Sequence, residues 1–225
     1  MFNGLFYVTL ALAVCDWVSV WRKWRTGLLI FKPATLLALI AWSLQISGWQ
    51  GGMIWFGLAL AFSLLGDIAL LFSERYFIYG LGAFFVGHVF YLMGFNSTPL
   101  PNTPWALLPA AAVLLLSFAV MKTICSGVSQ SPKHRPLLPA VIVYAVVLSL
   151  MFLSAATTFY KPGWNFQASA WAAAGGLLFL TSDSILAYNR FVKPQPQGQL
   201  KTHITYHLGQ VGLIAGALTW FLSQH

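Results

Sequence analysis

The chain has 225 residues, 59% of them hydrophobic and only 7% charged, against roughly 25% charged residues in soluble domains, which excludes a soluble globular protein. A bilayer core takes about 20 apolar residues per spanning helix, so eight spans with short connections use nearly the whole chain. The formal charge of +8 is scattered between apolar runs and forms no basic stripe interleaved with aromatics, which argues against a nucleic-acid partner.

Eight apolar segments bounded by charge, Pro or Gly are predicted helices. The first, Phe2–Trp21, lacks a basic leader and a small-residue cleavage site, so it reads as a retained anchor; it carries Asp16. The second, Phe31–Ser47, is short and opens on Lys32-Pro33, which places proline in a first turn and lets Lys32 snorkel to the rim. The third, Gly52–Phe72, carries Asp67. The fourth, Tyr76–Phe95, carries His88 and, one turn on along the same face, Tyr91. Trp105–Ile124 and Leu137–Thr158 follow a turn at Pro99–Pro104. The seventh, Ala168–Tyr188, carries Asp183 and leads through Asn189 and Arg190 to a second turn at Pro194–Pro196; the eighth, Ile204–Leu222, carries Tyr206, His207 and Gln210. Gly80, Gly82 and Gly87, like Gly209, Gly212 and Gly216, would let neighbouring helices pack closely. Cys15 and Cys125 fall near the ends of separate segments and make no disulfide framework.

Alternate connections hold 11 of the 12 Lys and Arg residues, the other side having Lys161 alone. This bias predicts an all-α bundle of eight transmembrane helices with both termini on the outer side. The chain is then a single membrane domain, 1–225. A weak echo between Leu65-Gly66-Asp67-Ile68-Ala69-Leu70 and Thr181-Ser182-Asp183-Ser184-Ile185-Leu186 is compatible with two parallel four-helix halves, 1–97 and 105–225, and equally with chance similarity of apolar segments.

Three of the four acidic residues, Asp16, Asp67 and Asp183, lie inside predicted spans, where an intramembrane carboxylate costs about 2.5–3.5 kcal/mol and normally faces the bundle interior. Each stands five positions before the basic end of its segment, roughly 7–8 Å below that boundary. His207 and Gln210, counted from Ile204, reach about 5 and 9 Å, completing a polar layer. That depth matches the glycerol backbone and first chain atoms of a cytoplasmic-leaflet lipid. Its phosphate would then lie near Arg190, Lys193, Arg22 or Lys23, with Lys32 at the rim, although these cations also serve as topology signals.

The runs Ser63-Leu64-Leu65-Gly66-Asp67, Gly82-Ala83-Phe84-Phe85-Val86-Gly87-His88 with Tyr91, Ser182-Asp183-Ser184 with Leu186 and Asn189-Arg190-Phe191, and Tyr206 with Gln210 resemble the YhhN-type lysoplasmalogenase family; Phe31-Lys32-Pro33 fits as well. The resemblance implies an eight-helix bacterial inner-membrane enzyme. It would hydrolyse the sn-1 vinyl ether of a lysophospholipid-type substrate, lysoplasmalogen, to fatty aldehyde and glycerophosphoethanolamine or glycerophosphocholine. It also implies that Asp67 and Asp183 are the catalytic pair, with no cofactor.

Vinyl-ether hydrolysis needs an acid to protonate the β-carbon, a base for the attacking water and an anion to stabilise the oxocarbenium-like cation. Two carboxylates in different protonation states serve such a cation in glycosidases. Asp16, Lys32, His88, Tyr91, Asn189, Arg190, Tyr206, His207 and Gln210 are candidates to orient substrate or water around them. Asp67 and Asp183 are open to another reading, as structural carboxylates paired with Lys32, Asn189 or Arg190, and Asp16 to one in which it merely reaches the interface. Two other functions fit the same residues. One is a zinc hydrolase of ceramidase type using His203, His207, His88 and an Asp, which His203 at the interface and the lack of a tight ligand motif disfavour. The other is a proton-coupled transporter, disfavoured by an almost wholly apolar outer half. A serine nucleophile at Ser63, Ser182 or Ser184 lacks an elbow motif.

Overall fold

The computed structural model describes residues 1–72 and 74–224, and among them the main elements are eight α-helices with no strand. They are α1 (Gly4–Trp21), α2 (Arg25–Ser47), α3 (Met53–Leu71), α4 (Phe77–Phe95), α5 (Leu107–Gln130), α6 (Leu138–Ala156), α7 (Phe166–Phe191) and α8 (Gly198–Leu222). The first seven are long and apolar enough to cross a membrane, as expected of an integral, multi-pass protein. The 25 residues of α8 extend about 37 Å, and every residue from Gly209 to Leu218 is buried. A helix buried all round occupies the centre of a bundle, and α8 packs on α1, α2, α3 and α7.

Side-chain caps start two helices. The Asn3 side chain accepts from the N–H groups of Leu5 and Phe6, and Asn165 accepts from that of Ala168, satisfying donors that a helix start leaves free. The contact between α7 and α8 is glycine against glycine: a Cβ on Gly212 would lie 2.7 Å from the Gly175 Cα, and one on Gly175 2.4 Å from the Leu213 nitrogen. Backbones that approach this closely admit no side chain. On α4, Gly87 likewise faces the α3 backbone, its Cβ position 3.2 Å from the Ala59 carbonyl oxygen. The expectation fails for Gly82, which has nothing within 4 Å.

Two boundaries differ from expectation in ways that matter for the site. α2 begins at Arg25, so Lys32 is not at a rim but about 10 Å along the helix. The cause is the tight α1–α2 turn, in which Lys23 adopts φ 55° and the Trp24 N–H donates to the Ser19 carbonyl at 2.8 Å. Helix then resumes at once, and Pro33 falls in its interior. α8 begins at Gly198, six residues before Ile204, directly after the Pro194–Pro196 turn. His203 is therefore inside the helix and buried, not at the interface.

Candidate functional site

A cavity of about 880 Å³ opens at the end of the bundle where the basic connections gather. Its walls come from α2, α3, α4, α7 and α8 and from the α5–α6 connection. Of the expected site residues, Lys32, Asp67, Asp183, Asn189, Arg190 and Tyr206 line it. Asp16, His88, Tyr91, His207 and Gln210 do not; they stand behind it.

Asp67 on α3 is fully buried. The Lys32 ammonium lies 3.0 Å from Oδ1, and the Tyr206 hydroxyl donates to Oδ2 at 2.8 Å. Tyr206 accepts in turn from Gln210 Nε2 at 3.3 Å, while Gln210 Oε1 accepts from the Tyr91 hydroxyl. Both carboxylate oxygens are thus occupied, and the polar chain ends at Tyr91 well inside the bundle. Tyr91 and Gln210 support Tyr206 and do not meet the cavity.

Asp183 on α7 is engaged on one oxygen. The Tyr144 hydroxyl donates to Oδ2 at 2.5 Å, and His88 Nε2 lies 3.0 Å from that hydroxyl and 3.5 Å from the same Oδ2. Besides the polar cavity, Asp183 borders a narrow apolar cleft between α4, α5, α6 and α7, walled by Leu81, Val120, Ile124, Leu148 and Leu180. The carboxyl therefore stands where a charged chamber meets an apolar slot. Tyr144 has no motif around it; its one sequence signal is a hydroxyl inside an apolar helix, where a buried phenol needs a partner.

A third polar group lies on the α1 side. Asp16, fully buried, meets His203 Nδ1 at 2.7 Å through Oδ2, so it does not reach the interface. His207 Nδ1 accepts from the Trp17 indole N–H at 3.2 Å, and its 3.7 Å approach to Asp16 is too long for a hydrogen bond. His203 itself lines the cavity.

The remaining candidates have defined work. Asn189 Oδ1 accepts from the Gln195 N–H at 2.8 Å, closing the α7–α8 turn. The Arg190 guanidinium sits over the Phe77 ring, 3.7 Å from its centroid. The cations of the cavity wall are Arg25, Lys32, Lys133 and Arg190; Arg22, Lys23 and Lys193 do not line it. The Ser182 hydroxyl donates to the Thr202 carbonyl and that of Ser184 to the Leu180 carbonyl, so both serve helix backbone. His88 stands with Asp183, whereas His203 and His207 stand with Asp16. Among the described residues no group of three or more His, Cys, Asp or Glu is placed to hold a metal ion.

Mouse lysoplasmalogenase TMEM86B is 30% identical over 203 residues, covering 90% of this chain and 80% of its own. Human lysoplasmalogenase TMEM86B is 27% identical over 212 residues, covering 92% and 84%. The uncharacterized membrane protein YhhN of Escherichia coli O157:H7 is 29% identical over 163 residues, covering 67% and 72%. No solved structure matches. The YhhN family model matches residues 28–217, a span holding both cavity aspartates and the lysine, two tyrosines and histidine that contact them, and the chain belongs to the YhhN family.

Proposed function

We propose that this protein is a membrane-embedded hydrolase that cleaves the sn-1 vinyl ether of lysoplasmalogen to a fatty aldehyde and glycerophosphoethanolamine or glycerophosphocholine. The observation that carries the reading is the position of Asp183, at the junction of a cation-lined cavity and an apolar cleft. A single-chain phospholipid has the matching division. Its phosphodiester suits Arg25, Lys133 and Arg190, its hydrocarbon suits the cleft, and the bond between them falls beside the carboxyl. The relatives named lysoplasmalogenase support the same substrate.

In this mechanism Asp183, protonated, delivers its proton to the β-carbon of the vinyl ether, and the double-bond electrons form the new C–H bond. The cation that develops over the α-carbon and ether oxygen faces the Asp67 carboxylate, which Lys32 and Tyr206 hold in place. Such preorganised charge is the larger part of many enzymes' rate enhancement. Water adds to the α-carbon, and the hemiacetal collapses to aldehyde and glycerol hydroxyl, returning a proton to Asp183. Tyr144 and His88 hold the Asp183 carboxyl against α4 and α6. No step calls on a metal or cofactor.

The basic bias of the connections supports a cavity facing the cytoplasmic leaflet with both termini outside, in what we take to be a bacterial inner membrane. The chain is then one domain. Each aspartate is braced by the second helix of its own half and the fourth helix of the other: Asp67 by α2 and α8, Asp183 by α6 and α4. That exchange supports two four-helix halves facing across one site.

Aldehyde release from a synthetic lysoplasmalogen by the purified protein tests the reading. Asp67→Asn and Asp183→Asn are each expected to lower it by at least about 10²–10⁴-fold, the contribution of a positioned acid or base, while keeping the wild-type elution volume. Wild-type rates in both variants would remove the aspartates from the mechanism. Proton-coupled solute uptake into proteoliposomes would favour a transporter, against which stands the end of the bundle remote from the cavity. There Phe56 and Phe95 meet edge to face at 5.0 Å and Trp164 stacks on Trp220 at 5.2 Å.

A further inference from the structure

Vinyl-ether hydrolysis requires three polar functions, and the two aspartates as placed supply two of them. Asp183 is the acid. Asp67 is the anion, its charge already engaged by Lys32 at Oδ1 and by the Tyr206 hydroxyl at Oδ2, which leaves it to face the developing cation. The group that takes the proton of the attacking water must line the cavity and keep an acceptor open to it. His88 does not line the cavity and has its Nε2 against Tyr144. His207 does not line it either, and its Nδ1 accepts from Trp17. His134 does, but its ring packs on Phe191 in the α5–α6 connection, outside the helical layer that holds the aspartates.

His203 meets both conditions. It lines the cavity one helical turn before Tyr206, whose hydroxyl holds Asp67. Its Nδ1 is committed to the buried Asp16 carboxylate at 2.7 Å, and Asp16 carries no proton on Oδ2 if that bond runs from N–H to oxygen. Nδ1 then holds the proton and Nε2 holds the lone pair, an arrangement in which a buried carboxylate fixes the tautomer of a catalytic imidazole. Lys32 on α2, Asp16 on α1 and His207 on α8 are the charged or titratable groups that act on it.

We infer that His203 is the general base for water addition and that Asp16 is the residue that positions it. The inference rests on the vinyl-ether reading for its substrate. The water oxygen bonds to the α-carbon as its O–H proton passes to His203 Nε2, leaving a neutral hemiacetal and an imidazolium paired with Asp16. In the collapse, the imidazolium returns that proton to the departing glycerol oxygen as the C–O bond breaks, and the hemiacetal hydroxyl gives its proton to the Asp183 carboxylate. Water is consumed, and both side chains regain their starting states.

Two measurements on the full-length purified protein test this. In turnover of lysoplasmalogen, His203→Gln and His203→Ala are expected to lower kcat by about 10²–10⁴-fold with KM within about threefold of wild type, the pattern of a group acting in the transition state. Added imidazole is expected to restore part of the His203→Ala rate, and Asp16→Asn to lower kcat in the same sense while altering the pH–rate profile. Wild-type turnover in His203→Gln, or a loss carried by KM that imidazole does not relieve, overturns the assignment. The second measurement needs no turnover: carbethoxylation by diethyl pyrocarbonate, mapped by peptide mass spectrometry. His203 is expected to react through Nε2 and to be protected by a non-cleavable 1-O-alkyl lysophospholipid; a His203 that stays unmodified, or reacts equally with the analogue bound, overturns it. A wild type that releases no aldehyde while His203 shows this protection would overturn the vinyl-ether reading and leave the cavity-facing dyad standing.

Discussion

Lys32 and Asp67 illustrate how a buried ion pair is tied to its site. Neither charge has an alternative partner in water, since Asp67 is fully buried and Lys32 nearly so. Removing one partner of such a pair costs about 3–5 kcal/mol because the other charge is stranded, whereas removing both is often neutral. Lys32→Met is therefore expected to lower the unfolding temperature in detergent sharply, and Lys32→Met with Asp67→Leu to recover most of it while remaining inactive. A double variant no more stable than the single one would contradict this. Tyr144 makes the comparable case for Asp183. Its hydrogen bond to Asp183, the acid of the proposed mechanism, joins two neutral groups, a class worth about 0.5–1.5 kcal/mol, so Tyr144→Phe should reduce aldehyde release by about 2- to 10-fold and shift the alkaline limb of the pH–rate profile, where a general acid loses its proton. An unchanged rate would make Tyr144 packing alone.

At the level of elements, the α7–α8 contact sets the site. Asp183 stands on α7 and His203, Tyr206 and His207 on α8, so any parting of these two helices separates Asp183 from the other polar groups. A Cβ on Gly212 would meet the Gly175 Cα at 2.7 Å, and backbone cannot rotate aside as a side chain can. Gly212→Val is expected to destabilise the protein by at least the about 1–3 kcal/mol typical of overpacking and to reduce turnover. Gly82→Ala is the contrasting substitution. With nothing within 4 Å of its Cβ position it is expected to be stabilising, by up to about 1 kcal/mol from helix propensity, with full activity. Thermal unfolding and aldehyde release on both variants decide between packing and conformational preference as the role of each glycine.

For the molecule as a whole, the two ends of the bundle do opposite things. One gathers cations around an open cavity, and the other is closed by stacked aromatics over a buried lysine. The Lys161 ammonium donates to the Phe95 carbonyl at 2.8 Å and to Asn96 Oδ1 at 2.9 Å, satisfying the C-terminal end of α4. Burial pushes its pKa down to about 8, below the roughly 10.4 of an exposed lysine. Between those values the unfolded chain holds a proton that the folded one has released, so folding is favoured progressively as pH rises from about 8 to about 10.4. The difference in unfolding temperature between wild type and Lys161→Met should therefore move in favour of wild type from pH 7.5 to pH 9.5. A difference independent of pH would mean that Lys161 titrates as it does in water.

Helix number, the membrane environment and the three intramembrane aspartates follow from sequence alone, because each rests on a local quantity: the length of an apolar run, or the cost of a charge within one. Pairing does not. Nothing in the spacing of residues 32, 67 and 206 says that α2, α3 and α8 converge, nor that Tyr144, with apolar neighbours on both sides, reaches across α6 to Asp183. The missed placement of His203 has a similar source. A turn at Pro194–Pro196 is legible, but whether helix resumes immediately after it depends on α7 offering Asn189 to close that turn and Gly175 to receive α8. Tertiary contact decided which cations face the cavity, which histidine is presented to it and which carboxyl borders the apolar cleft, because each depends on helix rotation, and rotation is fixed only when glycine meets backbone and a buried charge meets its partner.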